Sequence, residues 1–204
     1  MRIPGRKVSP AARSALDGEI LKAVRRERRA GRICGAHCQL KCDHCGSTAC
    51  QCPCAPECPN APRALSADPD NHPIERGVLP LVFALRACGF FEPCWSCEGH
   101  LGPAGNLWKA PRVWFYAAKP VHVRLLNGAL AALAAGKRLH APWRVAVTHS
   151  DVDNPEPTYS LEPALDQAGE PKLGALQADA ATIASSLPDA LADEARRLRR
   201  ATLG

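Results

Sequence analysis

Residues 112–136 read RVWFYAAKPVHVRLLNGALAALAAG, and the two halves of this stretch follow different periods. From 112 to 118, β-branched and aromatic side chains cluster in a run of strand length. From 121 onward, Val121, Leu125, Leu126, Ala129, Leu130 and Leu133 return at the spacing of one helix face, and Gly136 is a stop signal. A strand is therefore followed at once by an amphipathic helix spanning 121–135.

The same grammar extends in both directions. Upstream, 78–88 is a short helix with Leu81, Leu85 and Cys88 on one face, closed by Gly89, and 90–98 is a strand. Downstream, 143–148 and 158–161 are strands. The order is α-β-β-α-β-β, so one α-β-β unit is readable twice. Strands joined by hairpins favour a small antiparallel sheet with helices on one face, an α+β architecture.

All ten Phe, Trp and Tyr residues lie between Phe83 and Tyr159, which concentrates the expected core there. The resulting division is 1–33, a basic amphipathic helix; 34–58, a cysteine-rich metal-binding module; 59–77, a proline-rich linker; 78–162, the α+β core; and 163–204, a linker with C-terminal helices. In the first segment Ser9 caps a helix over 10–30, with Ala12, Leu16, Ile20 and Val24 on one face. In the last, Ser186-Leu-Pro-Asp189 reads as a capping box that divides the tail into helices over 175–185 and 187–202, with Leu187, Leu191 and Leu198 as a docking stripe.

Charge is uneven along the chain. Residues 1–33 carry ten Arg or Lys against Asp17, Glu19 and Glu27, a balance of +7, whereas the whole chain carries only +6. Arg25, Arg26, Arg28, Arg29 and Arg32 form the densest part, and such a basic arm suits a nucleic-acid backbone or an acidic protein partner. The first four of these also complement the dipole at the end of the predicted helix. No apolar stretch is long enough to span a membrane. The N-terminal residues, Arg-rich without an apolar run, lead to the expectation of a soluble cytoplasmic protein with reduced thiols.

Eight of the eleven cysteines fall in 34–58: Cys34, Cys38, Cys42, Cys45, Cys50, Cys52, Cys54 and Cys58. The segment has almost no large apolar side chains, so burial cannot offset its ordering entropy, and clustered thiolates point to metal. Zinc takes four donors in a tetrahedron. The first four cysteines can form one site and the last four a second, about two ions in all, although alternation between the sets satisfies the spacing equally. His37 and His44 can each replace a thiolate. An iron–sulfur cluster is the rival: Cys38-x3-Cys42-x2-Cys45 resembles the spacing of the radical-SAM family, but that family's alternating strands and helices do not follow.

A second constellation is Cys94-Trp-Ser-Cys97-Glu-Gly-His100. Cys94, Cys97 and His100 give three ligands for a third zinc with an open fourth position, the pattern of catalytic zinc, with Glu98 as general acid or base. As a plain strand, the same residues would carry both thiols as small hydrophobes. Pro93-Cys94-x-x-Cys97 resembles the second half of the zinc-deaminase signature, for which the upstream His72-Pro-Ile-Glu75 is one residue too long. Ser96-Cys97-Glu98-Gly99 resembles, over four residues, the Ser-Cys-x-Gly of the wybutosine-synthesising tRNA methyltransferase family. His149, Asp151 and Asp153 occupy the equivalent hairpin of the second unit and suit either a turn or a cluster facing Glu98 and His100. His122 and His140 read as surface histidines.

These features lead to the expectation of a zinc-binding accessory protein that engages nucleic acid or a protein partner through its basic helix and cysteine-rich module. The alternative is a zinc-dependent enzyme, a hydrolase, deaminase-like or RNA-modifying, centred on Cys94, Cys97 and His100. An iron–sulfur protein stands third.

Overall fold

The computed structural model describes residues 9–24, 61–64, 66–68, 70–148, 156–165 and 171–203. In chain order the elements are α1 (Pro10–Val24), α2 (Ala61–Ala64), α3 (Leu79–Cys88), β1 (Phe91–Cys97), β2 (His100–Leu101), β3 (Leu107–Lys109), β4 (Arg112–Ala117), α4 (Pro120–Ala135), β5 (Trp143–Thr148), β6 (Thr158–Pro163) and α5 (Leu173–Leu203).

Helix boundaries follow local chemistry. Both α3 and α4 begin with a proline in the first turn, where a missing N–H costs nothing. Helix α3 ends at Gly89, whose φ of +63° is the left-handed conformation that closes the helix, with its N–H donating to Arg86 O at 2.9 Å.

The four long strands form an antiparallel sheet in the order β1-β4-β6-β5. Each α-β-β unit thus places its second strand at the centre and its first at an edge. Helix α3 packs on β1 and α4 on β5, so the two units are arranged alike about the β4/β6 pair. The mixed α+β fold with a small antiparallel sheet is as the sequence led one to expect. The hairpin of β2 and β3, inserted between β1 and β4, has no counterpart among the strands read from the sequence.

Register determines which side chains share a face. Val113 pairs with Leu161 and Phe115 with Tyr159, and all four join Leu81, Leu85, Leu125 and Leu130 in the core. The opposite face carries Trp114 and Arg112 from β4, paired with Trp95 and Cys97 of β1, and Ser160 and Glu162 of β6. Strand β1 reaches this register through a bulge between Pro93 and Trp95, with Cys94 as the extra residue.

Helix α5 packs against α1, α3 and α4 and is continuous through Pro188. The sequence had suggested a break there. An interior proline costs about 3 kcal/mol, but Leu187 and Leu191 on either side are fully buried, and each contributes roughly 1.5 to 3 kcal/mol. Burial therefore outweighs the break signal. Leu187, Leu191 and Leu198 do form the docking stripe.

Asp179 of α5, fully buried, ties this helix to the α4–β5 connection. Its Oδ1 lies 2.8 Å from both the main-chain N and Nδ1 of His140, and its Oδ2 accepts from Ala141 N at 3.0 Å and Trp143 Nε1 at 3.3 Å. Helix α1 adds Ile20 and Ala23 to the core and binds α5 through Asp17, whose carboxylate accepts from Arg199 at 2.6 and 3.2 Å.

His122 departs from the expectation of a surface residue. It is 1 % exposed and stacks on Phe90 with ring centroids 4.3 Å apart, because position 122 faces α1 where that helix crosses α4. No helix among the described residues is long and apolar enough to cross a membrane.

Candidate metal centre

Glu75, Cys97 and His100 meet at the open end of β1. One donor atom from each, a carboxylate oxygen, a thiol sulfur and an imidazole nitrogen, lies within 4.8 Å of the other two. Three atoms so placed are no more than about 2.8 Å from a common point, at most about 0.5 to 0.8 Å beyond the zinc bond lengths of about 2.0 to 2.3 Å.

Two short segments hold this geometry. Cys97 ends β1, and the chain turns through Glu98 and Gly99 into β2, which starts at His100. Gly99 has a φ of +85°, and a Cβ there would lie 2.7 Å from Leu173 Cδ1 and 2.9 Å from Lys109 O. Only glycine fits both the conformation and the space. The Gly99 N–H also points at Cys97 Sγ, 3.4 Å away.

Glu75 precedes α3, and its carbonyl accepts from Val78 N at 3.3 Å and Leu79 N at 3.1 Å, which fixes its main chain to the helix start. Its side chain is held from two directions: Oε1 lies 3.2 Å from His100 Nε2, and Oε2 accepts from Glu98 N at 2.7 Å. The Glu98 carboxylate in turn accepts from Gly77 N at 2.6 Å, and the Glu98 carbonyl accepts from Gln177 Nε2 at 3.1 Å. Strand end, helix start and α5 are thereby joined around the cluster.

Electrostatics distinguish what a thiol can do here. Cys97 is 5 % exposed, and burial pushes its pKa up; the Gly99 N–H opposes that, the charge of Glu75 adds to it, and Lys109 and Arg112 oppose it more weakly. A thiol kept protonated is a poorer nucleophile than a thiolate. A bound cation reverses this logic, because a coordinating thiol loses its proton outright.

Comparison with family models, curated proteins and solved structures gives no match for this chain. The reading of the cluster rests on its own geometry.

Of the residues singled out in the sequence, Cys97 and His100 come together, and Cys94 does not join them. Cys94 is exposed at the bulge, and partial burial raises its thiol pKa. Cys88 is buried in the core, as its helical position implied. Glu75 takes the place expected of Cys94, although in the sequence it figured only in the mismatched deaminase half-signature. No local spacing links it to Cys97, because the whole of α3 lies between them.

The eight cysteines of 34–58, the arginines Arg25, Arg26, Arg28, Arg29 and Arg32, and His149, Asp151 and Asp153 lie outside the described residues.

Proposed function

We propose that this protein is a zinc-binding accessory protein, with one ion held by Glu75, Cys97 and His100 and about two more by the cysteines of 34–58. The observation that carries this reading is the convergence of three chemically different donors, all of zinc's preferred types, from both sides of α3 within 4.8 Å. Thiols held as metal ligands rather than disulfides suit a reducing compartment, and the cytoplasm is the compartment proposed.

The accessory role is supported by the state of Glu98. An enzyme built on this centre would want that carboxylate facing an open metal position, and its Oε2 is instead given to the Gly77 N–H. The three-donor set favours the enzyme as the second reading, since a fourth, exchangeable position is what catalytic zinc retains.

Metal analysis of anaerobically purified protein tests the proposal. About three zinc ions per chain are expected, falling by one in Cys97→Ser and in Glu75→Gln while the 34–58 ions remain. Unchanged stoichiometry in both variants would remove the metal from this cluster. A brown protein with iron and labile sulfide would replace zinc with iron–sulfur chemistry.

A further inference from the structure

The sheet face opposite the helices carries an aromatic and cationic surface that the metal reading does not use. Trp95 is 44 % exposed and lies against Trp114 of the neighbouring strand, with ring centroids 4.7 Å apart at 41°. Strand β4 sets Tyr116, Trp114 and Arg112 in file on that face, since alternate residues of a strand point the same way. Beyond the start of β4, Trp108 is 65 % exposed with Lys109 Nζ 4.4 Å from its ring centroid.

Large aromatic rings left in water at a sheet surface are costly to keep unless something covers them. Charge selects the occupant. Arg112 and Lys109 are close enough to Cys97 to act on its thiol, and neither forms an ion pair among the described residues. Of the acidic groups on the face, Glu162 is engaged by Arg144 at 3.5 Å and by Ser160 at 2.7 Å, and Glu92 sits at the far end, opposite Tyr116. A ligand that offers flat rings and repeated negative charge meets both halves of this surface.

We propose that this face binds single-stranded nucleic acid, with bases stacking on Trp95 and Trp114 and phosphates on Arg112 and Lys109. Stacking on exposed aromatics of a sheet, combined with backbone contacts from cations, is sequence-tolerant because every base has a π-face. A duplex hides those π-faces inside its own stack. The inference is independent of whether zinc is bound at Cys97.

The test uses the full chain and fluorescein-labelled oligouridylate and oligothymidylate of about fifteen nucleotides, followed by anisotropy at several salt concentrations. Both strands should bind, with the tighter of the two showing whether RNA or DNA is favoured, and a duplex of equal length should compete roughly tenfold worse. Trp95→Ala should weaken binding by roughly tenfold or more, and Trp95→Phe should retain most of it. Arg112→Gln, which disturbs no packed ring, should lower the salt slope by about one. Binding unaltered in both Trp95→Ala and Arg112→Gln, with thermal melts like the parent's, would overturn the proposal and leave any affinity to the basic arm. Failure of both oligonucleotides to bind at low salt, or equal binding of the duplex, would overturn it too.

Discussion

The main-chain N–H of Glu98 donates to Glu75 Oε2 across 2.7 Å, although 23 residues and a whole helix separate the two in sequence. The reciprocal bond, from Gly77 N to Glu98 Oε2, makes this a two-point clasp between the start of α3 and the end of β1. Residues surrounding metal ligands commonly set affinity as strongly as geometry allows. Glu98→Ala is therefore expected to weaken zinc binding at this centre by about 10- to 100-fold without changing the number of ions. Competition with a chromophoric chelator measures it, and an affinity equal to the parent's would show the clasp to be irrelevant to the metal.

Gly99→Ala should be among the most damaging small substitutions in the chain. It forces a side chain into a φ of +85° and brings a Cβ within 3 Å of Leu173, Pro111 and Lys109. A loss of about 2 kcal/mol or more is expected, the combined cost of strain and displaced neighbours. Urea unfolding would reveal it as a lower midpoint at unchanged slope.

Asp179→Ala removes the acceptor for His140, Ala141 and Trp143 together and leaves buried donors without partners. About 3 kcal/mol or more should be lost, since each hydrogen bond to a charged group is worth about 1.5 to 3 kcal/mol. Asp179→Asn, which keeps one oxygen acceptor, should fall between the two. Thermal unfolding of the three proteins orders them; an alanine variant as stable as the parent would mean that water satisfies those donors.

The buried ring of His122 gives stability a defined pH dependence. Burial holds its pKa below the ordinary 6.5, with the nearby charge of Glu19 opposing and Lys22 and Lys119 assisting. As pH falls through 6.5, the unfolded chain takes up a proton that the folded chain refuses, so stability declines until the folded-state pKa is passed. Above that range the group contributes nothing to the slope. In His122→Leu this part of the decline should vanish, as read from urea midpoints between pH 7 and roughly 5. Glu19, held below its ordinary 4.5 first by its hydrogen bond from Lys22, acts only at lower pH, where stability supported by its charge is lost as it protonates.

The parts of this fold that were legible in sequence are those with a local signature. Leu125, Leu126, Ala129 and Leu130 announce α4 by spacing alone, and Gly89 announces the end of α3. Pro188 misled because its penalty is local, whereas the burial of Leu187 and Leu191 that overcomes it comes from elements distant in sequence that pack on α5. Similarly, Cys97 and His100 are readable as a pair because only two residues separate them. Glu75 was not, since its approach depends on how α3 folds back on β1, and no spacing rule carries that information. The bulge at Cys94 had the same effect in reverse: a residue that looked like a ligand in the string is displaced by one extra position in the strand.

The ion pair between Asp17 and Arg199 spans 182 residues and joins α1 to α5. Both helices also bury apolar side chains in the same core as the sheet. During synthesis, α1 and both α-β-β units therefore emerge before the helix that covers them exists. Their apolar helix faces stay uncovered until α5 has emerged to pack on them. Folding is thus expected to be completed only when α5 closes the structure, and nascent chains halted before α5 should be sensitive to protease throughout the sheet.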